Sequence, residues 1–152
     1  MDLGIILALP NTYSKRQDIS NLVEDDARLS DFTINSLYLP LGYKLSEDNI
    51  IDPLAGISDI KNQVIRMVEP NTFVRNPECM LRAVRMSDKL SAQIDSETAD
   101  SIRKYSHLIK RAPRPVVEQN LKEILSSENK MNNISMLQSL KLLEHLRDYI
   151  PA

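Results

Sequence analysis

Beyond Pro70 the apolar residues fall at helical spacing almost without interruption, and this constrains the fold more than any other feature. Met80, Leu81, Val84 and Leu90 mark one stripe, and Ala99, Ile102, Tyr105 and Ile109 a second. Val116, Val117, Leu121, Ile124 and Leu125 mark a third. Residues three and four apart share a helix face, so each stripe predicts an amphipathic helix. Pro77 suits the first turn of a helix running to about Leu90, and Asp95 or Ser96 caps the next. Pro113 and Pro115 break that second helix, because proline lacks the N–H the helix needs. Residues 129–133 read as a linker, and residues 134–146 as a fourth helix stopped before Pro151.

Before Pro70 the pattern changes. Residues 5–9 read as a short buried strand, and residues 14–28 as polar loop or frayed helix. Residues 32–39 alternate and are rich in β-formers, which predicts a strand. Residues 41–49 form a turn, and residues 50–52 return as a short partner strand, giving a hairpin with a long loop. Ser58 caps a brief helix over residues 59–62, and residues 64–68 read as another short strand. The expected architecture is α+β, a small mixed fragment followed by an all-helical array. An open edge strand in that fragment invites pairing with another chain.

Composition agrees with a packed, helix-rich chain. Of 152 residues 42% are apolar, with only two Phe, five Tyr and no Trp, so Leu, Ile and Met fill the interior. The net charge of −2 conceals an acidic stretch from Asn21 to Asp52 and a basic one from Lys61 to Arg114. That asymmetry permits a local anion-binding face. The single cysteine, Cys79, excludes an internal disulfide and fits a reducing compartment. No apolar run approaches the ~20 residues of a membrane-spanning helix, and the apolar run at residues 3–9 lacks a basic leader. The cytoplasm, or an organelle matrix, is the expected location, with no membrane and no DNA among the partners. His107 and His145 have no cysteine cluster near them, so no metal site is expected.

Three clusters carry a resemblance. Asp31-Phe32-Thr33-Ile34-Asn35-Ser36-Leu37-Tyr38 resembles the Arg-Arg-Asp-Phe-Thr-Ile-Asn segment of the class II nucleotidyltransferases that build poly(A) tails and tRNA CCA ends. Ile50-Ile51-Asp52-Pro53-Leu54-Ala55-Gly56-Ile57-Ser58-Asp59-Ile60 resembles that family's turn between head and neck. Pro77 with Met80-Leu81-Arg82-Ala83-Val84-Arg85 resembles its nucleotide-reading helix. Farther on, Ile94-Asp95-Ser96-Glu97-Thr98 resembles a helix opening of the same family, and residues 115–125 its bacterial poly(A) polymerase neck. Together these cover roughly residues 24–125, and three clusters in order are far more specific than any one.

The resemblance implies the C-terminal part of a nucleotidyltransferase head at residues 1–70 and a helical, RNA-binding-like neck at residues 71–152. It also implies chemistry for which these residues lack the groups. In-line phosphoryl transfer uses two divalent ions held by close carboxylates. In the family these lie on a glycine-rich Asp-x-Asp segment well before the first cluster. Thirty residues precede Asp31 here, with neither Gly-Gly nor Asp-x-Asp among them. Leu29 and Ser30 stand where the family has two arginines. Asn76 and Cys79 stand where an aspartate and an arginine would read the incoming base, and a thiol cannot replace a guanidinium fork. No catalytic residue is therefore assigned. The expected function is a non-catalytic, RNA- or partner-binding fragment, with no cofactor of its own. The alternative is part of an active enzyme whose catalytic half is supplied elsewhere, with magnesium and ATP. RNA and a protein completing the head sheet are the expected partners.

Two groups of candidate residues remain, each with a plainer alternative. Asp31 and Asn35 are placed to touch a ribose or a metal, and Asn76, Arg82 and Arg85 to touch a nucleotide or phosphate. Against this, Asp31 closes its own hairpin, and Arg82 and Arg85 pair with acids such as Asp52 or Asp59. Arg103, Lys104, Lys110, Arg111 and Arg114 are candidates for an RNA path, with Tyr105 and His107 available to stack a base. Glu97, Asp100 and Glu118 dilute that set toward an ordinary solvated surface.

Overall fold

The computed structural model describes residues 23–150. Two compact units emerge. The first holds the described residues up to Asn62 together with Arg66–Glu69, and the second holds Gln63–Ile65 and the chain from Pro70 onward. The strand expected at residues 5–9 lies outside the described residues.

The first unit begins with helix α1 (residues 23–28) and reaches α2 (Gly56–Lys61). Between them the expected strand at residues 32–39 is a single 3₁₀ turn, Thr33–Asn35. Only its flanks pair: Phe32 bridges antiparallel to Met67, and Tyr38 to Ile51. The reason is local. The Asp31 carboxylate accepts from the Phe32 N–H at 2.8 Å and from the Asn35 amide at 2.9 Å, which curls the chain instead of extending it. Both faces are also covered, since Asp31–Ile34 and Ser36–Tyr38 are all buried. Alternation therefore does not mark a half-solvated strand here. The hairpin survives as the reciprocal Tyr38–Ile51 bonds, 3.0 and 2.8 Å. Beneath it Val23, Ala27, Tyr38 and Ile51 form an apolar cluster with Leu54 packed against it.

The second unit is helical. Strand β1 (Val64–Ile65) pairs parallel with β2 (Gln93–Ile94), a pairing that no alternation pattern announced. Helices α3 (Thr72–Arg75), α4 (Cys79–Leu90), α5 (Ser96–Tyr105), α6 (Arg114–Ser126) and α7 (Lys130–Ser139) follow, with a 3₁₀ segment at Ser106–Arg111. Helix α4 is the centre, packed against α6, α7 and both strands. Phe73, Met80, Leu81, Ile102, Ile124 and Leu137 are fully buried there. Asp95 caps α5 by accepting the Thr98 N–H at 3.1 Å. Pro115 sits in the first turn of α6, where its missing N–H costs nothing.

Two expectations at the end of the chain need correction. Residues 129–133 are not a linker, because α7 starts at Lys130. Asparagine disfavours a helix interior by competing for backbone bonds, but here tertiary partners occupy the amides. Asn129 and Asn133 donate to Asp88 at 2.7 and 3.0 Å. The fourth helix also ends early. Lys141 takes a left-handed φ of 59°, and Leu142 N–H reaches back to Leu137 at 2.9 Å, which closes the helix. Short 3₁₀ turns, Leu143–His145 and Arg147–Tyr149, complete the unit.

Candidate functional site

The densest polar arrangement in the first unit centres on Asp59. Its carboxylate accepts from the Thr33 hydroxyl at 2.6 Å and from Arg66 through two nitrogens, at 3.0 and 3.2 Å. Asp59 is buried while Arg66 keeps nearly half of its side chain in water. A bidentate guanidinium–carboxylate pair holds geometry as well as charge. Backbone bonds reinforce it: Thr33 N–H donates to Arg66 and Val68 N–H to Asp31, each at 3.0 Å. One residue, Gly56, permits the whole arrangement. A Cβ there would lie 2.3 Å from the Thr33 carbonyl oxygen.

Asp52 has a related role. Its two carboxylate oxygens accept the Gly56 and Ile57 N–H groups at 2.7 and 3.0 Å, satisfying otherwise orphaned donors at the start of α2. At the other side of the unit Tyr38 donates to Asp26 at 2.7 Å. Burial first, then the hydrogen bond to Asp26 and last its charge, push the Tyr38 phenol well above its ordinary range.

Of the nucleotide candidates, Asp31 and Asn35 are brought together by their hydrogen bond, with Asp31 buried and Asn35 half-buried. That geometry is the turn-closing role. Arg85 has its ion pair within the second unit. Its guanidinium meets Glu123 at 3.1 Å, tying α4 to α6, while Asp52 and Asp59 hold the partners described above. Arg82 is half-buried on the same helix face, three residues earlier. Asn76 is exposed at the end of α3, and Cys79 is buried at the start of α4.

The five basic candidates separate into two kinds. Arg103 donates to Asp100 at 2.7 Å and to the Ser139 carbonyl at 3.0 Å. Arg114 donates to Glu118 at 2.7 Å and the Asp148 carbonyl at 3.2 Å, and its guanidinium lies 5.1 Å from the Tyr149 ring centre. Both therefore brace the second unit. Lys104, Lys110 and Arg111 stand exposed, as does His107, with the Lys104 ammonium 5.1 Å from the Tyr105 ring centre. Among the described residues no three His, Cys, Asp or Glu side chains converge as a metal would require, and no helix is long and apolar enough to cross a membrane.

Sequence reasoning missed Arg66 and Asp88. Arg66 lies in the segment 64–68 that reads as a short strand, where nothing local points to Asp59 as its partner. Asp88 accepts from Asn129 and Asn133, 41 and 45 residues away, and no local signal announces such a pairing. The Ser127 hydroxyl first, then Asn133, hold the Asp88 carboxyl below its ordinary range.

Comparison with known proteins is specific. Residues 8–66 match the poly A polymerase head domain family. Poly(A) polymerase I of Salmonella typhi is 33% identical over 133 residues, 86% of this chain and 28% of that protein. The A-adding tRNA nucleotidyltransferase of Deinococcus radiodurans is 33% identical over 127 residues, 80% of this chain and 28% of that protein. Among solved structures, the Thermotoga maritima CCA-adding enzyme complexed with tRNA superposes with a TM-score of 0.70 at 25% identity, over 86% of this chain and 32% of that one. The chain thus spans under a third of the length of each.

Proposed function

The chain belongs to the poly(A) polymerase and tRNA nucleotidyltransferase family, and from that premise we propose that it holds RNA without transferring nucleotides by itself. In this reading the first unit is the C-terminal part of a head and the second a neck, with the boundary at residues 70–71. The observation that carries it is the use made of the carboxylates in the matched segments. Asp31, Asp52 and Asp59 are each bonded to groups of the first unit, so their charges serve the fold and are not directed at a reacting phosphate. Base reading is absent for a similar reason. Cys79 is buried and Asn76 carries an amide, so neither supplies the fork or the charge that would select a nucleobase.

RNA is held through charge. Lys104, Lys110 and Arg111 stand exposed on α5 and the 3₁₀ segment after it, and such contacts position a backbone without reading sequence. Two of the relatives named above are a tRNA nucleotidyltransferase and a CCA-adding enzyme complexed with tRNA, which supports RNA as the ligand class.

A second reading has one observation in its favour. The Thr33–Asp59–Arg66 arrangement and the Asp52 turn are complete, as a working head would need them. In that reading a partner chain supplies the metal-binding carboxylates, with magnesium and ATP. A primer-extension gel separates the two. The chain is mixed with labelled single-stranded RNA, magnesium, and ATP or CTP, beside an active relative. The expected result is retention of RNA on a filter and no added nucleotides. Magnesium-dependent extension by the chain alone overturns the proposal, and extension only after adding an Asp-x-Asp-bearing head segment establishes the split enzyme.

A further inference from the structure

The loop that joins the two arms of the first unit's hairpin is exposed throughout residues 41–48. It carries three large apolar side chains into water: Leu41 at 51%, Tyr43 at 61% and Leu45 at 60% exposure. Bonds to the rest of the unit hold the loop in place. Tyr43 N–H donates to the Pro40 carbonyl at 3.2 Å, the Asn49 amide donates to the Lys44 carbonyl at 2.9 Å, and Lys61 pairs with Glu47 at 2.7 Å. Gly42, at φ +85°, supplies the left-handed turn that Leu41 and Tyr43 flank.

We propose that this loop is a stacking site for a base of single-stranded RNA, with Tyr43 as the platform and Lys44 meeting the adjoining phosphate. This deepens the RNA-holding reading above and rests on it. Size favours a base over a protein. A stable protein interface needs about 800 Å² and 20–30 residues on each side, whereas one exposed ring with aliphatic neighbours suits a single base. Charge permits it as well. Glu47 is neutralised by Lys61, so Lys44 is opposed within the loop only by Asp48. Every base has a π-face, so such a contact holds RNA without selecting its sequence.

The chain has no tryptophan, so Tyr43→Trp places a single fluorescent reporter at the loop. Titration of the full chain with a short oligoadenylate is expected to quench that emission. Tyr43→Ala is expected to weaken filter-measured RNA affinity by about tenfold or more, and Tyr43→Phe, which keeps the ring, to leave it unchanged. Far-UV circular dichroism checks that the exposed-loop variants fold. If the parent chain binds RNA but Tyr43→Trp is not quenched and Tyr43→Ala binds equally well, the inference is overturned while RNA holding stands. The same result is what a loop reserved for a protein would give. If the parent chain binds no RNA, both fall.

Discussion

In the first unit the residues that fix the chain are largely polar. Asp59 gathers Thr33 and Arg66, Asp52 holds the start of α2, and Tyr38 is anchored on Asp26. In the second unit the chain is fixed by aliphatic packing around α4, and polar contacts such as Asp88 with Asn129 and Asn133 lie at its margins. The difference teaches where each unit is vulnerable. A packed helical core loses stability in proportion to the volume removed. A polar knot around one buried carboxylate weakens when that acceptor is lost, because a buried hydroxyl such as that of Thr33 then loses its acceptor.

The largest expected effect tests the packing side. Phe73→Ala removes a fully buried ring from the second unit and is expected to cost about 3–5 kcal/mol, read as a fall in the denaturation midpoint. Hydrogen exchange resolved by peptide is expected to show the loss in residues 70–150 first. Equal loss in both units would break the contrast. Asp59→Ala is the matching test of the polar side. It strands the buried Thr33 hydroxyl and removes the Asp59–Arg66 pair, at a cost of about 1–3 kcal/mol. Protection is expected to fall around residues 31–35 and 56–68 and to persist in α4.

A third variant separates surface from core. Lys110→Glu with Arg111→Glu changes only exposed positions, so unfolding is expected to stay unchanged. RNA affinity is expected to fall roughly tenfold, about 1.4 kcal/mol, with a shallower dependence on salt. Unchanged affinity would remove this surface from the RNA path.

The smallest effects are expected in pH, and they divide the units by sign. The Tyr38 phenol is raised, so its contribution is complete below the ordinary phenol range and is lost as pH climbs above it. The Asp88 carboxyl is lowered, so its contribution is complete above the ordinary carboxylate range and is lost as pH falls through it. Alkaline titration is expected to loosen the first unit and acid the second. Tyr38→Phe and Asp88→Asn should each flatten one arm only, as followed by circular dichroism.

The helical half of the fold was legible because period, caps and prolines are properties of neighbouring residues. The stripe from Met80 to Leu90 and the Asp95 cap appear where the sequence puts them. The kinship was legible too, since the Asp31–Tyr38 and Asp52–Asp59 segments keep the residue types that bond to one another. Tertiary structure alone decided the rest. It brought Thr33 to Asp59 and paired Arg85 with Glu123. It also set Asp88 against asparagines more than forty residues away. Local propensity is worth tenths of a kcal/mol per residue, while a buried carboxylate left without its donors costs several times that. Where the two conflicted, the long-range polar contact prevailed.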